Sequence, residues 1–259
     1  MAKRKKRTLR NTLIYLGFLI LLSILAYANR QIEHFLADRV ATFELRNIRI
    51  HGLEVLTRGQ VLDLCGLKPG EKLLTIKPSQ IARRLLKSPF VKSASAVYSL
   101  PATLHITVQE RRPLAFVPAK ELYLIDEQGV LLPLPRMSGT SWNLPVIHLP
   151  NLGHLQVGER VSDPRLRQLV DILRYIRLMP SPLWSMVATI EWRDDRQLQL
   201  ALIRGGARVR CNLDDYQEEL YALGLYVQNY LDWEQLADLE YIDLRFQDRL
   251  ILKNRHTQG

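Results

Sequence analysis

A single uncharged, apolar segment near the start of the chain constrains its architecture more than any other feature. Between Asn11 and Asn29 there are 19 consecutive residues without charge, and from Leu13 to Ala28 nearly all of them are apolar. As a helix rising about 1.5 Å per residue, this segment would be roughly 28 Å long, close to the thickness of the hydrocarbon core of a bilayer. No later segment compares, because charge or proline interrupts each apolar run. The sequence therefore predicts one transmembrane helix over 11–29.

The charges beside this segment predict its orientation. Six cations and no acid precede it within residues 1–10, namely Lys3, Arg4, Lys5, Lys6, Arg7 and Arg10. Because such cations stay on the cytoplasmic side, we expect residues 1–10 to be a basic cytoplasmic tail and the bulk of the chain to be extracytoplasmic. The chain carries a net charge of +10, and these six cations leave only +4 for the other 249 residues. That mildly basic remainder gives little support to nucleic-acid binding.

A cleaved signal peptide is the alternative to an anchor. Residues 26–28, Ala-Tyr-Ala, have the small-x-small form of a cleavage site behind a basic region. Against cleavage, the apolar run exceeds the roughly 7–15 residues that are usual for a signal peptide. Apolar residues also continue at helical spacing beyond the site, among them Ile32, Phe35, Leu36 and Val40. We therefore predict a retained anchor with a juxtamembrane helical extension over 30–42.

Residues 43–112 have the pattern of a compact α+β domain in the order strand, helix, helix, strand, strand. Thr57 and Gln60 have the spacing of a capping box, which predicts the start of the first helix, and Pro78 suits the first position of the second. The last strand, 103–110, alternates apolar and polar residues with a period of two. From their matching phase we expect four residues in the core: Val61, Ile81, Leu85 and Ile106.

Residues 113–252 predict a mixed β domain with two helices, followed by a polar tail over 253–259. Short apolar runs separated by turn sequences indicate strands, and the clearest pair is a hairpin around 126–129. The two helices are expected from Asp163 to about Leu178 and, behind a cap at Asn212 or Asp214, to about Tyr230.

The sequence lacks recognisable catalytic and metal-binding motifs. It contains no phosphate-binding glycine loop, no nucleophile elbow and no paired-histidine zinc motif. Of six histidines only His148 and His154 lie near each other, in a loop, so we predict no metal and no cofactor. Cys65 and Cys211 lie far apart, and we expect two separate small apolar residues rather than a disulfide. Adjacent carboxylates, such as those at 194–195, leave a hydrolase open as a minor alternative.

Several segments resemble the bacterial cell-division family FtsQ, called DivIB in some bacteria. The most specific is 100–113 (LPATLHITVQERRP), which is similar to the line that ends a POTRA domain in this family. Residues 48–52 (IRIHG) and 241–246 (YIDLRF) resemble two further family segments. The resemblance covers about 43–252 together with the anchor. It implies that 43–112 is a POTRA domain and that the fold class is α+β with an N-terminal transmembrane helix.

The same resemblance implies a non-enzymatic scaffold of the division machinery, located in the inner membrane at the septum. FtsQ-like proteins recruit the single-span proteins FtsB and FtsL and help to control septal peptidoglycan synthesis. In this family the POTRA domain is linked to placement at the septum, and the last strand of the β domain receives FtsB. Carried over to this sequence, the partner-binding patch is Phe246, Asp248, Arg249 and Leu250. The family often has a small residue and a glycine where this chain has Asp248 and Arg249.

A strand at a sheet edge suits such binding, because its unpaired backbone groups can accept another strand. The charges beside it could also simply blunt the edge. Phe246 shares a strand face with Ile242 and Leu244 and could therefore point into the core instead. Two other classes of function stay open: an exported POTRA-containing transport or assembly component, and a membrane-anchored hydrolase. A transport component would need a barrel or several POTRA units, and neither fits into 259 residues.

Overall fold

The computed structural model describes residues 44–68, 70–135, 142–194, 196–203, 206–231, 235–246 and 249–255, together with eight residues between positions 20 and 31. Between residues 44 and 255 it describes five α-helices and twelve strands. The helices are α1 (Arg58–Cys65), α2 (Pro78–Leu85), α3 (Pro164–Leu178), α4 (Leu183–Met186) and α5 (Tyr216–Tyr230). The strands are β1 (Asn47–His51), β2 (Val91–Ser99), β3 (Thr103–Glu110), β4 (Pro113–Pro118), β5 (Leu122–Asp126), β6 (Leu131–Pro133), β7 (Val146–His148), β8 (Val187–Asp194), β9 (Gln197–Leu202), β10 (Arg208–Asn212), β11 (Leu239–Phe246) and β12 (Arg249–Asn254).

Near the N-terminus, the eight described residues between positions 20 and 31 are helical. Among the residues that the structure describes, no helix combines the length and the apolar character needed to cross a bilayer. The predicted basic tail 1–10 lies outside the described residues, as do most of the predicted span 11–29 and of its extension 30–42. The anchor and its extension therefore stay predictions.

Residues 44–112 form a three-stranded sheet that packs against α1 and α2. Its order is β1-β3-β2, with β1 parallel and β2 antiparallel to the central β3. The order of elements along the chain is the predicted one. At the start of α1, the backbone N–H of Thr57 donates to the Gln60 side chain at 2.8 Å, and the N–H of Gln60 donates to the Thr57 hydroxyl at 3.3 Å, which confirms the capping box. The four predicted core residues are all buried.

The connection from β1 to α1 is fixed by contacts with β3. Gly52 has a φ of +86°, and a Cβ at this position would lie 1.9 Å from the carbonyl oxygen of Val108. Only glycine tolerates both the positive φ and so close a backbone. Further along, the buried carboxylate of Glu110 accepts the backbone N–H groups of Val55 at 2.6 Å and of Leu56 at 3.0 Å. It satisfies two donors that the loop would otherwise leave unpaired.

Residues 113–255 form a nine-stranded mixed sheet in the order β12-β11-β10-β9-β8-β7-β4-β5-β6. The pairs β4-β7, β7-β8 and β10-β11 are parallel, and the other pairs are antiparallel. Apolar residues of α3 and α5 share one core with alternate residues of the strands, so both long helices cover the same face. This is the predicted mixed β domain with two helices, plus the four-residue α4, which the sequence analysis did not predict.

Two predicted boundaries differ from the structure. The N-cap of α5 is Asp215, without a side-chain cap, rather than Asn212 or Asp214. Asn212 instead donates its backbone N–H and its side-chain amide to the carboxylate of Glu219, each at 2.8 Å, which ties the end of β10 to the first turn of α5. The last strand continues to Asn254, because its pairing with β11 runs that far, so the predicted polar tail begins inside β12.

The two sheets meet at β5 and β6, where residues 124–126 and 131–132 are buried on both faces of their strands. Ile125 packs into the core beneath α3, whereas its neighbour Leu124 packs into the core of residues 44–112. The split follows from strand geometry, since successive side chains face opposite sides. Val130 and Leu132 join Leu124 in the first core. Independent folding of 43–112 therefore stays a prediction, because part of that core comes from outside the segment.

Asp126 ties the predicted hairpin to the connection between the two sheets. Its buried carboxylate accepts the backbone N–H groups of Gln128 at 2.9 Å and of Val130 at 2.8 Å. The guanidinium of Arg111, which lies between β3 and β4, donates to the same carboxylate at 2.8 Å. One acid therefore shapes the turn and anchors the segment that leads from the first sheet into the second.

Candidate functional site

The nine-stranded sheet has two edges, and different structure surrounds each. At the β6 edge, the N–H of Leu131 donates to the carbonyl oxygen of Glu159 at 3.0 Å, and the N–H of Gly158 donates to that of Leu131 at 2.8 Å. A loop therefore covers part of that edge. At the opposite edge β12 pairs with β11, and no segment that the structure describes pairs with its outer side. The β12 edge is thus the one whose backbone groups are open to another strand.

Phe246 and Arg249 face each other at the end of the hairpin that joins β11 to β12. Phe246 is 50% exposed, although Ile242 and Leu244 of the same strand are buried. The pairing register shifts between Asp243 and Phe246, so the ring departs from the alternation of the strand. The possibility that Phe246 points into the core is therefore wrong: the ring lies at the surface beside the β12 edge.

The strand β12 presents apolar side chains that the sequence analysis did not single out. Ile251 and Leu252 are exposed, and they face opposite sides of the sheet because neighbouring strand residues alternate. Leu250, which was predicted to contact the partner, is half-buried and packs against the core beneath the helices. Arg249 is exposed, and Asp248 lies outside the described residues. Leu250, Ile251 and Leu252 are all apolar, so the sequence shows no alternation that would tell inward from outward side chains. Only the position of β12 at the sheet edge shows which of them are exposed.

A charged network beside the edge ties three strands together. The carboxylate of Asp243 accepts the Arg245 guanidinium through Nε at 2.8 Å and Nη2 at 2.6 Å, and Arg210 approaches it at 3.7 Å. The ring of Tyr241 has Arg210 at 4.7 Å and Lys253 at 5.5 Å from its centroid. These side-chain contacts link β10, β11 and β12. They therefore stabilise the strands beside the open edge.

The Asp243 carboxylate gives the network a pH dependence that can be measured. Its hydrogen bonds with Arg245 hold the pKa of Asp243 below its ordinary value of 3.8. A lowered pKa in the folded chain means that the pair stabilises the fold above the unfolded pKa and loses this effect as pH falls through the folded pKa. We expect Asp243→Asn to be less stable than the parent at neutral pH, with the difference shrinking below about pH 4. Thermal melting from neutral to acidic pH measures this.

The control for this prediction is Asp171→Asn. Asp171 pairs with Arg174 across one helical turn, with about half of each side chain exposed. A surface pair of this kind contributes little to stability. Its melting curves should follow those of the parent at every pH. A constant difference between Asp243→Asn and the parent over the whole range would contradict the assigned role of the carboxylate.

The side chains that could hold a metal ion or form a disulfide are dispersed over the part of the chain that the structure describes. Among the described residues, no three His, Cys, Asp or Glu side chains are grouped so that they could hold a metal ion. His148 and His154 are both exposed. Cys65 and Cys211 are free and lie buried in separate cores, as the sequence analysis expected. Burial raises the pKa of the Cys65 thiol to about 11 and that of Cys211 well above its ordinary value, so both stay protonated at neutral pH.

The two sheets and the open edge together characterise the kind of protein that this chain forms. A three-stranded α+β unit leads into a mixed sheet, and the last strand of that sheet is an open edge. Two family models match the chain, one over the three-stranded unit and one over the mixed sheet. The family model "POTRA domain, FtsQ-type" matches residues 43–111. The model "Cell division protein FtsQ/DivIB, C-terminal" matches residues 115–245. The chain belongs to the FtsQ/DivIB family of bacterial cell division proteins, which confirms the resemblance seen in its sequence.

Individual relatives extend this agreement over most of the chain. The cell division protein FtsQ of Geotalea daltonii is 24% identical over 245 residues, which cover 95% of this chain and 88% of that protein. FtsQ of Geobacter sp. strain M21 is 28% identical over 224 residues, covering 84% of this chain and 78% of that protein. DivIB of Clostridium acetobutylicum is 24% identical over 131 residues, which cover 50% of this chain and 52% of that protein.

Proposed function

We propose that this protein is a non-enzymatic scaffold of the division machinery, which recruits FtsB- and FtsL-like single-span proteins at the septum. Through them it helps to control septal peptidoglycan synthesis. Membership of the FtsQ/DivIB family supports the role in division. The observation that carries the binding function is the open β12 edge with exposed Phe246, Ile251 and Leu252 beside it.

Partner binding takes place by strand addition. A strand of the partner lies along β12 and continues the hydrogen-bonded ladder, which supplies affinity, while side chains on either face supply specificity. Phe246 is the anchor, because a large, half-exposed ring can bury much apolar area against a partner. Arg249 contributes charge at the rim. Leu250 holds β12 onto the core from within, and Ile251 and Leu252 meet the added strand.

The rest of the chain places this edge relative to the membrane. Residues 11–29 form a single span with the tail 1–10 in the cytoplasm, and 30–42 continue it as a helix. The POTRA domain, 43–112, serves placement at the septum, and the C-terminal domain, from 113 to the end of β12, receives the partner. The clustered cations before the apolar run support this orientation.

Truncating the anchor ring tests the binding edge. We expect Phe246→Ala to weaken binding of the extracytoplasmic segment of the FtsB-like partner by at least about tenfold, which is about 1.4 kcal/mol. The melting temperature should stay within error of the parent, because the ring is half exposed. Calorimetric titration gives the affinity, and thermal melting checks the fold.

A matched control lies elsewhere on the same sheet. Leu122 on β5 is 47% exposed, so Leu122→Ala removes a similarly exposed apolar side chain far along the strand order from β12. It should bind the partner like the parent. A second edge variant, Leu252→Lys, should weaken binding without unfolding the chain. If Phe246→Ala and Leu252→Lys are both stable and both bind like the parent, β12 is not the site.

A further inference from the structure

The positive charge of the chain is concentrated in the POTRA domain to a degree that the overall composition hides. Residues 44–112 carry twelve lysines and arginines against five acids, a net charge of +7. Residues 113–259 carry 16 against 19, a net charge of −3. The domain that follows the N-terminal segment is therefore strongly basic, and the larger domain beyond it is slightly acidic.

One surface of the POTRA domain carries cations without acids. Around α2, Lys77, Arg83, Arg84 and Lys87 are all exposed, and the segment from 77 to 87 contains no carboxylate. Arg83 and Arg84 lie on α2 itself, away from the buried side that holds Ile81 and Leu85, whereas Lys77 precedes the helix and Lys87 follows its C-cap. We call these four residues the basic α2 face. Among the described residues, none of its members has a carboxylate partner. Two of them donate to backbone carbonyl oxygens instead, Arg84 to Cys65 at 2.5 Å and Arg83 to Ser79 at 3.3 Å.

An apolar side chain accompanies these charges. Leu86 follows the last turn of α2, between Arg84 and Lys87, and it is 48% exposed. Exposed cations without carboxylate partners, next to an exposed leucine, suit a lipid headgroup layer, where the cations meet anionic headgroups and the apolar group reaches the acyl boundary.

The chain enters the POTRA domain beside the loop that leads to α2. Glu44 forms a β-bridge with Lys72, and the N–H of Leu45 donates to the carbonyl oxygen of Glu71 at 2.8 Å. Two lysines, Lys68 and Lys72, and two acids, Glu44 and Glu71, meet there, so the entry point is neutral and the positive charge of this region lies on the basic α2 face. Residues 30–43 connect this point to the proposed span. Such a link reaches about 20 Å as a helix and at most about 50 Å fully extended. The domain is thus held near the bilayer at high effective concentration.

We propose that the basic α2 face docks on anionic phospholipids of the membrane from which the chain emerges. This inference rests on the single-span anchoring proposed above. Docking sets the tilt of the POTRA domain, because the helices turn towards the bilayer and the opposite face of the three-stranded sheet turns away. The β12 edge belongs to the other domain and stays free for a partner.

Energy transfer between the protein and labelled lipid tests the docking. The full-length chain is placed in nanodiscs that contain a headgroup-labelled acceptor lipid. A donor dye is attached to the Gln80→Cys variant, beside the basic α2 face, or to the Val97→Cys variant, on the opposite face of the sheet. Both positions are exposed, whereas the two native cysteines are buried. One set of nanodiscs contains about 30% phosphatidylglycerol, and the other contains phosphatidylcholine alone.

We expect transfer from the dye at position 80 to be at least about twofold higher in the anionic nanodiscs, and this difference to vanish at about 0.5 M salt, where charges are screened. Transfer from position 97 should stay low in both lipids. Arg83→Gln with Lys87→Gln should abolish the increase. Lys120→Gln with Arg196→Gln removes the same charge from exposed sites of the other domain and should leave the increase intact.

The outcomes separate the two proposals. Full-length chain that fails to co-elute with the nanodiscs contradicts the anchor and, with it, the docking. Chain that co-elutes but transfers energy equally in both lipids overturns the docking alone. A loss of the increase in the Lys120→Gln, Arg196→Gln variant also overturns it, because general charge and not the basic α2 face would then be responsible.

Discussion

Gly52→Ala should destabilise the POTRA domain by about 3–5 kcal/mol. Two independent costs add at this position. The φ of +86° is one that a residue with a Cβ adopts only with strain, and the new Cβ would meet the carbonyl oxygen of Val108 at 1.9 Å. Relief requires β1 and β3 to separate, which would break the parallel ladder in which Ile50 is paired with Ile106. Urea unfolding of the full-length chain, with hydrogen exchange of the β3 amides, measures the loss.

Gly70→Ala is the matched control for this substitution. Gly70 has a φ of +83°, but a Cβ there would meet nothing within 4 Å. It should therefore show the cost of the positive φ without the clash, about 1–2 kcal/mol. Equal losses for the two variants would show that the close approach of Val108 contributes nothing.

Leu85→Ala should lower the free energy of unfolding of the POTRA domain by about 2–5 kcal/mol. Leu85 is fully buried on the inner side of α2, in the core that contains Leu104 and Ile106 of β3. Removing its branched end leaves a cavity, because the neighbouring strands are held by the sheet and cannot close over the space. Chemical denaturation, followed with the same β3 amides, gives the change.

The next residue in the chain provides the control. Leu86 is the same residue type, and Leu86→Ala removes the same atoms from a side chain that is 48% exposed. We expect it to change the free energy of unfolding by less than about 0.5 kcal/mol. If the two variants lose similar stability, the inward face of α2 has been assigned wrongly.

Much of the POTRA domain could be predicted from its sequence because the controlling signals are local. Thr57 and Gln60 satisfy each other within one turn, and the alternation over 103–110 assigns inner and outer faces without reference to the rest of the chain. The contribution of Leu124 to the same core could not be predicted in this way. An apolar run such as 122–125 does not show that two different cores will cover its two faces.

The strand that carries the candidate site could be located from the sequence, but the exposure of its side chains could not, and the site itself stays a prediction. Similarity to a family motif led to Phe246 and the strand after it, and the structure places that strand at the open edge of the sheet. The exposure of Phe246 depends on a register shift that no local pattern encodes. Leu250, which was expected to contact the partner, is half-buried against the core, whereas the next residue, Ile251, is exposed, because successive strand residues face opposite sides of the sheet.

Helix caps, turns, strand faces, the POTRA order and the family signature have short-range causes and could be predicted from the amino-acid pattern alone. The folded chain was needed to show that β4 lies between β7 and β5, that a loop covers part of the β6 edge, and that β12 is open among the described residues. The difference lies in the range of the interactions. Caps and alternation depend on hydrogen bonds and burial within a few residues, whereas strand order depends on which distant segments pair and pack with the lowest free energy. An edge is a property of that final order, and so is the surface it leaves for a partner.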